Sequence, residues 1–140
     1  MQLENKVALI TGAASGFGAE LARRFAAEGA KLSLFDTNGD GLARVNEEIG
    51  GTAVYTTGSV AEEADVQAAV DAAIAAHGRL DILMNNAGIG GRMRPIARMD
   101  PADFDAMMAV NVRGVFLCAR AAIPHLCLLY TSDAADDTRS

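Results

Sequence analysis

The segment Thr11-Gly12-Ala13-Ala14-Ser15-Gly16-Phe17-Gly18 constrains this chain more than any other. It closes the run Lys6-Val7-Ala8-Leu9-Ile10, which is apolar on both faces, as buried parallel strands are. Beyond it, Phe17, Leu21 and Phe25 recur at helical spacing and predict a one-sided helix ending near Gly29. In such a strand–turn–helix, Gly12 permits the tight turn, Gly16 lets backbone amides approach an anion, and Gly18 lets the helix pack closely on the strand. The helix N-terminus faces the anion with unpaired N–H groups and the positive end of its dipole. The pattern Gly12-x-x-x-Gly16-x-Gly18 differs from the usual G-x-G-x-x-G, and Phe17 stands where a nucleoside triphosphate loop needs lysine. Taken alone, the glycines also fit a plain structural turn.

The remainder alternates in the same rhythm. Lys31–Asp36 reads as a second strand, followed by a helix on Leu42, Val45 and Ile49 that stops at Gly50-Gly51. Thr52–Thr57 is rich in β-branched residues and reads as a third strand. Ser59-Val60-Ala61-Glu62 has capping-box spacing and opens a helix with Val66, Ala69, Val70, Ala73, Ile74 and His77 on one face, ending at Gly78. Asp81–Asn85 is the fourth strand. Asp100-Pro101-Ala102-Asp103 supplies an N-cap, a first-turn proline and a first-turn acid for a last helix from about Ala102 to about Ile123, bounded by Pro124. The order β-α-β-α-β-α-β-α with short connections calls for an α/β fold with a parallel sheet and right-handed crossovers.

Asp36 sharpens the meaning of the glycines. It ends the second strand, and a carboxylate about 20 residues beyond a glycine turn is placed to accept hydrogen bonds from a ribose hydroxyl. The same charge repels a 2′-phosphate, and Thr37 and Asn38 offer no cation to offset it. The residues therefore favour NAD over NADP. The alternative is an aspartate that simply starts a turn.

Together these residues resemble the short-chain dehydrogenase/reductase family. Its T-G-x-x-x-G-x-G pattern matches Thr11 to Gly18, its N-N-A-G motif matches Asn85-Asn86-Ala87-Gly88, and its helix-borne asparagine matches Asn111 in Val110-Asn111-Val112-Arg113-Gly114-Val115-Phe116. The resemblance covers residues 1 to about 125 and implies a Rossmann-type doubly wound parallel sheet, here incomplete, with strand order 3-2-1-4. It implies that Gly12, Ser15, Gly16, Phe17 and Gly18 contact the pyrophosphate and adenosine side of the cofactor. Asp36, beside Thr37, would bind the adenine ribose, and Asn86, Ala87 and Gly88 would line the nicotinamide-side groove. Asn111 would be the member of a catalytic Asn-Ser-Tyr-Lys tetrad whose backbone carbonyl holds a water. Where the family often has Asp-Val after the third strand, this chain has Ser59-Val60, which implies a weaker adenine contact with the Val60 N–H still available. The implied reaction is hydride transfer between nicotinamide and a carbonyl or secondary alcohol, such as a 3-oxoacyl thioester, a sugar or a cyclic alcohol. The implied assembly is a homo-oligomer, a dimer or tetramer, formed through the last helix. A non-catalytic NAD-binding module is the rival reading. An epimerase fits less well because its glycine spacing is usually G-x-x-G-x-x-G.

Composition narrows the partners. A net charge of −6 argues against a nucleic acid held through its phosphates. No uninterrupted apolar run reaches membrane-spanning length, and the N-terminus lacks a signal-peptide pattern. Two cysteines, Cys118 and Cys127, form no framework, which points to the reducing cytoplasm. His77 reads as a helix C-terminal residue, His125 as a surface residue, and Arg92, Arg94 and Arg98 as a solvated loop that could alternatively attract an anionic substrate. Met93, Met99, Met107 and Met108 read as packing residues, and no His/Cys group has metal spacing.

The tetrad's tyrosine and lysine, spaced Y-x-x-x-K, do not occur: Tyr55 is followed four residues later by Ser59 and Tyr130 by Ala134. This chain is accordingly expected to be inactive by itself. Cys127-Leu128-Leu129-Tyr130-Thr131-Ser132 fits a translation of TGT CTC TTA TAC ACA TCT, a transposase adapter sequence, and Asp133 to Asp137 continue the frame. The expected division is a cofactor-binding part over 1–126 and an adapter-derived tail over 127–140. With strand order 3-2-1-4, the fourth strand is an apolar edge, so the product is expected to be marginal or aggregation-prone.

Overall fold

The computed structural model describes residues 1–89 and 94–126. Arg92, Met93, Cys127, Tyr130 and the rest of the 127–140 tail lie outside them. Four parallel strands, β1 (Val7–Thr11), β2 (Lys31–Asp36), β3 (Val54–Thr57) and β4 (Ile82–Met84), lie in the order β3-β2-β1-β4, as expected. All five residues of β1 are buried, because it pairs with β2 from Val7↔Lys31 to Thr11↔Phe35 and with β4 from Ala8↔Ile82 to Ile10↔Met84. Alternation along the strands divides the core into two layers. Ala8, Ile10, Leu32 and Leu34 pack with Ala19, Ala22, Leu42 and Val45 of helices α1 (Gly16–Ala27) and α2 (Gly39–Glu48). Val7, Leu9 and Phe35 pack on the other face with Val66 and Val70 of α3 (Glu63–His77) and with Leu117 and Cys118. Burial pushes the free Cys118 thiol up to about 11, leaving it a neutral packing group.

Three local expectations are corrected. The buried face of α1 is Gly18, Ala19 and Ala22, whereas Phe17 is 71% exposed and Leu21 and Phe25 are only partly buried. The reason is proximity: a Cβ on Gly18 would stand 2.0 Å from the Gly12 carbonyl oxygen, so only small side chains fit between this helix and the sheet. Ser59 does not cap α3, which begins at Glu63. Its hydroxyl instead accepts from the Ala61 N–H (3.1 Å) and its carbonyl from the Glu62 N–H (3.1 Å), closing a separate turn before the helix.

The last helix is not one regular α-helix. Helix α4 (Pro101–Met108) passes through a π-helical turn (Ala109–Arg113) into α5 (Gly114–Leu126), with Pro124 inside rather than bounding it. A proline removes its own N–H but not those of the residues after it, so the final turn still closes. The Asp100 carboxylate accepts from the Ala102 N–H at 2.9 Å with Pro101 in the first turn, as expected. By length and composition Pro101–Leu126 is long and apolar enough to cross a membrane. In the fold, Gly114, Leu117, Cys118 and Ala122 are instead buried, most of them against the α3 side of the sheet.

Candidate dinucleotide site

The carboxyl ends of β1 and β4 are where the chain's crossovers diverge to opposite faces of the sheet, which leaves a crevice beside the first glycine turn. Gly12 lies at its floor. Phe35, Asp36 and Thr37 form one wall, Gly58, Ser59 and Val60 an end, and Ala87, Gly88, Ile89 and Val110 the other wall. Seven of these positions trace to three sequence features, the strand-end Asp36 and the loops that follow β3 and β4.

Thr11 organises the floor. Its buried hydroxyl accepts from the N–H groups of Asn86 (3.0 Å) and Ala87 (2.9 Å), so the turn after β4 is pinned to the end of β1. The Asn86 amide donates back to the Gly12 carbonyl at 3.3 Å. Gly12 has φ +64, and a Cβ there would lie 2.9 Å from Ala87 Cα, so this turn demands glycine twice over.

The first turn of α1 is open to a ligand. Ser15 sits at its N-cap in extended conformation but makes no side-chain cap, and a Cβ on Gly16 would meet nothing within 4 Å. The N-terminal amides of this helix are thus left for an anion. Asp36 stands beside them. One carboxylate oxygen accepts from the Ala14 N–H at 3.0 Å and the other from the Asn38 N–H at 2.9 Å, which orients the group while leaving lone pairs toward the crevice. Thr37 is exposed next to it, and the Val60 N–H has no hydrogen-bond partner among the described residues. Free helix amides, an oriented carboxylate and a spare donor fit the phosphate, ribose and base of a dinucleotide in turn.

Asn111 lies in the π turn, and its amide spans a gap that a sequence cannot show. It donates to the Ile89 carbonyl and accepts from the Ile89 N–H, both at 2.8 Å. The structure therefore gathers Gly12, Asp36, Thr37, Ser59, Val60, Ala87 and Gly88 around one crevice. Asn86 and Asn111 brace its walls, and Ser15, Gly16, Phe17 and Gly18 stand at the adjoining helix end.

Several supporting groups escape sequence reasoning. Asp65, on α3, accepts from the Ser59 N–H at 3.0 Å, and Arg113 donates to the Ala61 carbonyl at 2.7 Å. Both contacts depend on how α3 and the last helix meet. The other candidates stay apart from the crevice. His77 Nε2 is 3.0 Å from the Leu32 carbonyl, near the opposite end of the sheet. His125 lies in the last turn of α5, and Arg94 and Arg98 flank Pro95 in a separate depression. Among the described residues no group of three His, Cys, Asp or Glu side chains could hold a metal ion.

Comparison with known proteins agrees with this geometry. The short chain dehydrogenase family profile matches residues 6–134. D-threitol dehydrogenase of Mycolicibacterium smegmatis is 42% identical over 123 residues, covering 86% of this chain and 47% of that protein. Levodione reductase of Leifsonia aquatica is 46% identical over 118 residues, covering 81% and 44%. Among solved structures, 3-ketoacyl-(acyl-carrier-protein) reductase from Brucella melitensis, complexed with NADH, superposes with a TM-score of 0.86 at 50% identity, covering 88% of this chain and 51% of that one. The chain spans about half the length of the curated relatives it matches. With strand order, glycine turn and family profile in agreement, the chain belongs to the short-chain dehydrogenase family of oxidoreductases.

Proposed function

We propose that this chain is the cofactor-binding part, over residues 1–126, of an NAD-preferring dehydrogenase that exchanges hydride with a carbonyl or secondary alcohol. The observation that carries the NAD preference is Asp36. Its carboxylate is oriented at the crevice rim by two backbone N–H groups, with threonine and asparagine rather than a cation in the two positions after it. The ribose hydroxyls donate to it, whereas a 2′-phosphate would meet an uncompensated negative charge.

The nicotinamide, when bound, supplies or accepts the hydride. This chain's residues bind and orient. The first-turn amides of α1, at Gly16, Phe17 and Gly18, hold the pyrophosphate, the Val60 N–H meets the adenine, and Asn86, Ala87 and Gly88 shape the nicotinamide side. Asn111 spends its side chain on Ile89, and its backbone carbonyl would hold the water of a proton relay. No Tyr-x-x-x-Lys pair occurs in these 140 residues, so this chain binds cofactor without turnover. The named relatives are a D-threitol dehydrogenase, a levodione reductase and a 3-ketoacyl-(acyl-carrier-protein) reductase, which supports a small alcohol or carbonyl as the substrate class.

Three further parts belong to the same reading. The exposed apolar side of the last helix is the contact with a second subunit. A buried free thiol in a chain with two cysteines suits the cytoplasm. The 127–140 segment is adapter-derived, which resequencing the source DNA across the Leu126 codon from an untransposed library decides.

The binding test is a fluorescence titration with NADH and NADPH. NADH binds at least about tenfold more tightly, and Asp36→Ala narrows the gap. Equal affinities in the unsubstituted chain would remove the NAD preference.

A further inference from the structure

The π turn and the residue after it touch both a wall and an end of the crevice between Val110 and Gly114. On one side Val110 lines the wall and Asn111 holds Ile89. On the other, Arg113 Nη1 donates to the Ala61 carbonyl at 2.7 Å, and Gly114 lies so close to Val60 that a Cβ would stand 2.6 Å from Val60 Cγ2. The turn it reaches is small: Ser59-Val60-Ala61-Glu62, closed by its own two hydrogen bonds and tied at its start to Asp65. Arg113 makes the charged contact at the far side of that turn. A guanidinium hydrogen bond to a carbonyl is stronger than a neutral one and fixes the direction of the peptide plane. That carbonyl shares its peptide plane with the Glu62 N–H, which donates to the Ser59 carbonyl at 3.1 Å. The Ser59 carbonyl in turn shares its plane with the Val60 N–H, the spare donor at the crevice.

We propose that Arg113 is a positioning residue for the adenosine end of the site, holding the 59–62 turn so that the Val60 N–H points into the crevice. This rests on the reading of the crevice as an NAD site. Without the guanidinium, the turn samples other orientations. The apparent affinity for the adenosine half of the cofactor then falls by the fraction of time the donor is misdirected. The nicotinamide half, flanked by Asn86 to Ile89 and braced by Asn111, does not depend on this contact.

The experiment uses the full 140-residue chain, with calorimetric titration of 5′-AMP, nicotinamide mononucleotide and NADH. Arg113→Ala weakens 5′-AMP and NADH about tenfold and leaves nicotinamide mononucleotide within about twofold. Arg113→Lys recovers most of the loss, because an ammonium still donates to the carbonyl. Arg120→Ala, which removes a neighbouring cation paired with Glu63 away from the crevice, changes nothing. Unchanged 5′-AMP affinity in Arg113→Ala overturns the proposal. So does an equal fall for both half-cofactors, which would mean general loosening of the fold. A chain that is folded by circular dichroism and binds neither half-cofactor overturns the NAD reading itself, and the role of Arg113 with it.

Discussion

Helices α2 and α5 both pack on the sheet, but α2 is mostly polar and α5 mostly apolar. In α2, Leu42 and Val45 disappear into the sheet and the rest of the helix is polar, so its amphipathic stripe and its burial coincide. The last helix buries Leu117, Cys118 and Ala122 but leaves Phe104, Met108, Val112, Phe116 and Ile123 exposed. Its apolar residues surround the axis, one set buried in the core and the other exposed among the described residues. Where a helix serves a single core, sequence periodicity predicts burial. Where apolar residues lie all round the axis, periodicity no longer tells which of them are buried.

The largest effect is expected from Gly18→Ala in α1, which packs beside α2 on the same face of the sheet. The added Cβ would sit against the Gly12 carbonyl, so α1 must lift from the sheet, and about 3 kcal/mol or more of stability should be lost in urea unfolding. A loss below about 1 kcal/mol would show that the helix can move aside at little cost.

A paired substitution contrasts the two helices directly. Leu42→Ala opens a cavity under α2 and should cost about 2–4 kcal/mol at any protein concentration. Phe116→Ala, at a residue 58% exposed, should change the stability of the isolated chain by no more than about 0.5 kcal/mol. It should, however, weaken self-association in sedimentation. Equal losses in unfolding, independent of concentration, would mean that the exposed face already packs within one chain.

The smallest effect concerns the start of β1. Asp81 accepts from the Val7 N–H at 2.9 Å and pairs with Arg79 at 2.6 Å. Partial burial pushes its carboxyl up, but the Arg79 and Val7 hydrogen bonds and the nearby positive charges outweigh it and hold the pKa below the usual value. The stabilisation is therefore present above the unfolded carboxyl pKa of about 3.9 and drains away as pH falls through the lower folded value. Asp81→Asn should flatten that acid limb of the stability profile. An unchanged limb would assign it to other carboxylates.

Much of the fold was legible because local signals agreed. The parallel sheet followed from the alternation of elements and its strand order from the family resemblance, Asp100-Pro101 marked a helix start, and Gly50-Gly51, at φ +97 and +75, marked a helix end. The site was legible where chemistry sits on consecutive residues, as in Thr11 to Gly18 and Asn85 to Gly88. It was not legible where a side chain crosses between elements. Nothing around Arg113 announces its bond to Ala61, 52 residues away. The π turn is equally silent, since Val110-Asn111-Val112 has no composition that calls for one extra residue in the winding. Ser59 misleads for a related reason: the same hydroxyl serves a turn as readily as a helix cap, and the next helix decides which.

The bridge from Asn111 to Ile89 has one more consequence. An amide supplies a donor and an acceptor together while carrying no charge and no titratable proton. A carboxylate in its place could satisfy the Ile89 N–H but would face the Ile89 carbonyl with lone pairs unless protonated. Built from asparagine, the brace within this wall of the crevice keeps its two hydrogen bonds at any pH the fold survives. The shape of the wall that Ile89 and Val110 share is thereby insulated from changes in pH.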